Sequence, residues 1–152
     1  MYSKLLGALA AVSLLAACAS HGTDSSSSSS GSASTSTGNP LAGGGGDKIF
    51  FDLDQAVIRD DARPTLDNQA SWLTKNQNVN VQIAGDCDER GTEEYNIALG
   101  SRRAYAAQSY LAAKGVAPSR MTTISYGKDR PIAPGSTEEA WAQNRNAITS
   151  VR

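Results

Sequence analysis

Polar and apolar positions alternate with two different periods along the second two-thirds of the chain. Ala62, Leu66, Ala70 and Leu73 recur at i, i+4, i+8 and i+11, one face of a helix ending near Lys75. Asp60, Asp61 and Pro64 mark its start. Val79, Val81 and Ile83 then alternate with Asn80, Gln82 and Ala84, the period of a strand with one buried face, and Gly85 to Gly91 breaks it. Thr92-x-Glu94 opens a second helix in which Ala104, Ala107 and Leu111 share a face. Gly100 is a candidate kink and Gly115 a candidate C-terminal cap. Short strands are predicted at Ile49 to Leu53 and Met121 to Ser125, a short helix at Thr137 to Asn144, and a polar, weak final strand at Ala147 to Val151.

This order, β-α-β-α-β-α-β, predicts the α+β class: a two-layer α/β sandwich with a mixed sheet and helices on one face. It occupies residues 47–152. What precedes it is of another kind. Residues 1–17 read as a signal peptide, with basic Lys4 ahead of an apolar-rich run from Leu5 to Ala17. That run is short of the roughly 20 residues that span a bilayer. Ala19 to Gly46 is low in complexity, with six consecutive serines and four consecutive glycines, a composition that buries no core. It reads as a flexible tether of about 30 Å root-mean-square reach.

Leu15-Ala16-Ala17-Cys18 resembles the lipobox of bacterial lipoproteins. The resemblance implies that Cys18 is acylated and becomes the mature N-terminus, so that residues 18–46 are a lipidated tether. Ala19 in place of Asp implies sorting to the outer membrane. Cys87 is then left without a disulfide partner.

Charge and composition narrow the chemistry. A net charge of −1 and the absence of basic blocks give no reason to expect a nucleic-acid partner. The only histidine, His21, lies in the tether, which removes Ser–His and Cys–His catalysis. The chemistry-bearing stretch is Gly85 to Ala104, with carboxylates in a loop and arginines on the helix behind it. Three readings compete there. Asp86-x-Asp88-x-Arg90-Gly91 opens like a calcium loop, but Arg90 and Ile97 stand where oxygen donors are needed. Asp88 and Glu89 could serve as an acid/base pair, but no second cluster supplies a nucleophile. The third reading is a clamp for a ligand bearing both charge signs. No catalytic residue, metal or cofactor is expected.

Residues 49 to about 148 resemble the OmpA-like peptidoglycan-binding domain, and most closely its lipid-anchored branch. The matching stretches are Phe51-Asp52-Leu53-Asp54 with Ile58, Asp88-Glu89-Arg90-Gly91-Thr92, Tyr95 to Gly100 with Arg102-Arg103-Ala104, Ser125-Tyr126-Gly127-Lys128 with Arg130-Pro131, and Trp141 with Asn144-Arg145. The resemblance implies non-covalent binding of meso-diaminopimelate in peptidoglycan stem peptides. It also implies an outer-membrane lipoprotein whose domain faces the periplasm, and TolB and other Tol proteins as partners. By motif, Asp88 receives the ligand ammonium and Arg103 its carboxylate, with Asn96, Asp54 and Arg145 completing the site. Arg102, about 100° away from Arg103 on the helix, is expected on the solvent side, and Glu89 with Arg90 as a surface ion pair.

Two departures stand out. Asp86 replaces the family's usual His, and Asn146 the second Arg of its Asn-Arg-Arg. Both make the site less positive. They raise the alternative of an OmpA-like lipoprotein with weakened wall binding that acts through protein partners. Asp86 is expected to repel the ligand carboxylate or to draw Arg103 away, and the final strand is expected to fray.

Overall fold

The computed structural model describes residues 39–43 and 46–152, which belong to one compact unit. The signal segment, Cys18, His21 and most of the expected tether lie outside the described residues. Seven elements follow in order: β1 (Lys48–Phe50), α1 (Arg63–Lys75), β2 (Val81–Asp86), α2 (Glu93–Ala113), β3 (Met121–Gly127), α3 (Glu138–Asn144) and β4 (Asn146–Val151). The sheet order is β1-β4-β2-β3; β2 and β3 pair in parallel, and β4 pairs antiparallel with β1 and β2. This is the mixed sheet that the alternation of strands and helices implies.

Each helix begins and ends for a local reason. A 3-10 turn over Asp60–Ala62 leads into α1, and Pro64 sits in its first turn, where a missing N–H costs nothing. At its far end Asn76 Nδ2 donates to Trp72 O. Arg120, from the approach to β3, donates to the carbonyls of Leu73, Asn76 and Val79. A cation placed on the last carbonyls of a helix also complements its dipole. Thr92 caps α2 by accepting from Tyr95 N. Gly115, at φ +96°, closes α2 with its N–H on Ala112 O and that of Val116 on Leu111 O.

The predicted apolar faces are the core. Leu66, Ala70 and Leu73 of α1 pack with Ala104, Ala107 and Leu111 of α2 over Val81 and Ile83 of β2. Each such large side chain is worth about 1.5–3 kcal/mol when fully buried. Gly85 continues the helix-facing side of β2. A Cβ built on it would lie 1.9 Å from the carbonyl oxygen of Gly100. Gly100 therefore does not kink α2, which runs unbroken through it; it lets the helix backbone ride directly on the strand.

Three expectations change. The first strand ends at Phe50, not Leu53, because the chain turns there to build a loop. β2 runs on to Asp86, and every residue from Ile83 onward is buried, so the strand is covered on both faces there. The final strand does not fray. β4 is interior, and two of its polar side chains are tied down: Thr149 donates its hydroxyl to Gln69 Oε1 at 2.9 Å, and Asn146 Nδ2 donates to Gln143 O. Upstream of β1, Asn39 Nδ2 donates to Thr149 O, Asn39 Oδ1 accepts from Val151 N, and Leu41 is buried. Within the segment expected to be tether, Asn39 thus seats on β4.

Candidate functional site

The site is built where β1 and β2 end and α2 begins. Phe51 is anchored by its N–H on Arg145 O at 2.8 Å. The chain then turns through Asp54, whose φ of +56° is a left-handed conformation that Asp tolerates better than most residues. The turn points the carbonyls of Asp52 and Gln55 at α2. Arg103 meets them there. Its Nε donates to Gln55 O at 2.8 Å, Nη1 to Asp86 O at 2.9 Å and Nη2 to Asp52 O at 3.1 Å. Its guanidinium also faces the Phe51 ring, 5.3 Å from the centroid. At 1 % exposure it is among the largest fully buried side chains, and burial pulls its pKa below the ordinary arginine value. Three bonds to carbonyls leave two of its five N–H groups uncommitted to the backbone, with the Cys87 thiol beside the guanidinium. Arg102 is exposed, as its position on the helix predicts.

Asp88 is buried too, and its carboxylate is crowded. Oδ1 accepts from the backbone N and the Nε of Arg90, both at 3.1 Å. Oδ2 accepts from Arg90 Nη2 at 2.6 Å and from Arg145 Nη1 at 3.4 Å. Burial alone would raise its pKa; the hydrogen bonds and charge of Arg90, helped by Arg145, outweigh it and hold Asp88 below the usual carboxylate range. Arg145 is fixed by Phe51 O and by Glu138 of α3, and the Arg90 guanidinium lies 4.1 Å above the Trp141 ring. Asn96 Nδ2 holds the loop by donating to the carbonyls of Arg90 and Thr92. Cys87 turns its thiol to Asn96 O at 3.4 Å; burial pushes its pKa up to about 11, so it is a neutral thiol at physiological pH.

Leu53, Asp54, Cys87, Asp88, Arg90, Asn96, Leu99 and Arg103 line one narrow cleft of about 10 Å³. Four of the five expected ligand-site residues thus share it, and the fifth, Arg145, touches it through Asp88. A second, larger surface groove between α1 and the end of α2 contains none of them. The pairing of Glu89 with Arg90 is corrected: Arg90 folds back onto Asp88, and Glu89 accepts instead from Trp141 Nε1 at 3.1 Å. The roles of Trp141 and Glu138 escaped sequence reasoning. An aromatic one helical turn and an acid about two turns before the Asn-Arg pair were the available signal.

The expectation for Asp86 is also corrected. It is absent from the cleft lining. Its Oδ2 pairs with Arg130 Nη2 at 3.2 Å, and only its backbone carbonyl reaches Arg103. The calcium-like opening is not assembled either, because Asp86 and Asp88 engage different arginines. Asp86 Oδ1 and Asn146 Oδ1 are buried without protein partners. Burial is the main reason its pKa is raised, against the opposing pull of Arg130, Lys48 and Arg103. An acid with a raised folded pKa costs the fold nothing below the unfolded pKa, and the cost grows as the pH rises through the folded value. Asp86→Asn is therefore expected to raise the melting temperature by a few degrees at pH 7, with the gain shrinking as the pH falls towards 3. A gain equal at both pH values would place the cost elsewhere.

A family model described as the OmpA family matches residues 50–145. The chain is 55 % identical over 104 residues to a protein of Rhizobium meliloti named peptidoglycan-associated lipoprotein, covering 68 % of this chain and 59 % of that protein. A protein of Brucella melitensis with the same name is 53 % identical over 104 residues, covering 68 % and 62 %. The chain thus spans about three-fifths of the length of these curated relatives. The crystal structure of the peptidoglycan-associated lipoprotein from Burkholderia pseudomallei superposes with a TM-score of 0.68 at 38 % identity, covering 70 % of this chain and 90 % of that one. The C-terminal domain of Helicobacter pylori MotB shares the fold, with a TM-score of 0.65 at 24 % identity over 70 % of this chain and 84 % of that one.

Proposed function

Because this chain belongs to the OmpA family, we propose that its cleft binds the free end of meso-diaminopimelate in peptidoglycan stem peptides, without catalysis. The observation that carries this reading is one cleft holding a buried carboxylate, Asp88, and a buried guanidinium, Arg103, on separate elements. The free end of diaminopimelate bears an ammonium and a carboxylate on one carbon, so each buried charge meets its opposite. Arg103 suits the carboxylate because its planar fork donates two parallel bonds. The relatives' shared name supports the same reading. With Cys18 lipidated, the protein would tie the outer membrane to the wall, with TolB and other Tol proteins as its partners. Asp86 and Asn146, the departures that suggested a decayed site, lie outside the cleft lining. The alternative of weakened wall binding is accordingly not favoured.

Cosedimentation of the purified protein with diaminopimelate-type and lysine-type peptidoglycan tests the proposal. The first should carry the protein down and the second should not, since lysine lacks the second carboxylate. Hydrogen bonds to charged groups are worth about 1.5–3 kcal/mol, so folded Asp88→Ala should bind roughly ten- to a hundredfold more weakly. Equal binding to both walls, or full binding by Asp88→Ala, would overturn the assignment.

A further inference from the structure

Asp88, the expected partner of a ligand ammonium, has no vacancy for one. A carboxylate offers about four acceptor positions. Arg90 fills three of them, through its backbone N, its Nε and its Nη2, and Arg145 fills the fourth. The backbone bond belongs to the loop, and Arg145 is 8 % exposed and fixed at both ends by Phe51 O and Glu138. The Arg90 side chain differs. It is 33 % exposed, it stacks on Trp141, and its Nη1 already stands 3.8 Å from Glu138 Oε2. It can leave Asp88 without leaving Trp141. With it in place the cleft holds about 10 Å³, room for one water molecule and not for an amino-acid head group.

We propose that Arg90 is a specificity-determining residue of this cleft: its guanidinium occupies the ammonium position on Asp88 and yields only to a ligand that brings both a cation and an anion. This inference rests on the function proposed above. A ligand with an ammonium alone exchanges one cation on Asp88 for another, with nothing gained, and leaves the displaced guanidinium to share Glu138 with Arg145. A ligand with a carboxylate on the same carbon supplies that guanidinium with a partner as it moves. Selection against lysine-type stem peptides then has two sources, Arg103 at the back of the cleft and Arg90 at its mouth.

The test is calorimetric titration of the disaccharide tripeptide ending in meso-diaminopimelate, and of its lysine counterpart, into the wild-type protein, Arg90→Ala and Arg90→Gln. Removing the internal competitor should tighten binding of the lysine tripeptide by roughly tenfold, one charge-assisted hydrogen bond's worth. Binding of the diaminopimelate tripeptide should stay level or weaken, so the preference between the two narrows in both variants. If both variants bind the diaminopimelate tripeptide and keep the wild-type preference, with the lysine tripeptide no tighter, Arg90 does not select and this proposal alone falls. If the wild type binds neither tripeptide, the function proposed above falls and takes this inference with it.

Discussion

Gly85→Ala is expected to lower the stability of the domain by about 3 kcal/mol or more, at the upper end of what forced overpacking costs. The new methyl group would lie 1.9 Å from the Gly100 carbonyl oxygen and 3.1 Å from Ala104 N, all backbone, so no rotamer change relieves it. The helix must lift from the strand. For a domain of this size that corresponds to a fall of about 12 °C or more in melting temperature. Gly100→Ala should be milder. Its Cβ meets first the Ser125 hydroxyl, which can rotate, although Gly85 O at 2.7 Å still resists, and Ala regains up to about 1 kcal/mol of helix propensity. Urea denaturation of both variants decides the matter. A loss below about 1 kcal/mol for Gly85→Ala would mean that the crossing can relax.

Arg103→Lys is expected to cost about 3 kcal/mol of stability as well as ligand binding. The guanidinium joins three stretches: the loop after β1 through Asp52 and Gln55, the end of β2 through Asp86, and α2 itself. One ammonium cannot reach three carbonyls set out for a planar fork, and each buried acceptor left without a donor costs about 1–3 kcal/mol. Denaturation midpoint and peptidoglycan cosedimentation should therefore fall together. Binding lost at unchanged stability would show that Arg103 serves the ligand alone.

Local pattern carried the sequence reading wherever a residue's surroundings are set by its neighbours in the chain. Leu66, Ala70 and Leu73 were legible because helical spacing alone puts them on one side. Thr149 was not: it looked polar and weak, and its partner Gln69 lies 80 residues away. The same limit explains Gly100, read as a kink because Gly85, whose backbone it meets, can be paired with it only in three dimensions. At the site, the family motif placed Asp88, Arg103, Asn96 and Asp54 in one cleft. It could not give the direction of Arg90, which depends on Trp141 and Glu138 from α3. Asp86 was misjudged because it stands two residues from Asp88 in the chain, whereas Arg130 from the loop beyond β3 claims its side chain.

The three-residue strand β1 has a mechanical consequence. Its start, Lys48, faces the N-terminal side of the chain, and its end leads directly into the Phe51–Asp54 loop beside the cleft. Tension applied between the N-terminal side and a ligand held in the cleft meets first the Asn39 contacts to Thr149 and Val151 and then runs along β1. The antiparallel hydrogen bonds to β4 lie across that line. They are loaded together, in shear, and do not break in succession as those of a strand peeled sideways would. A ladder this short can then carry a pull that its length alone would not suggest, provided the load enters by one end and leaves by the other.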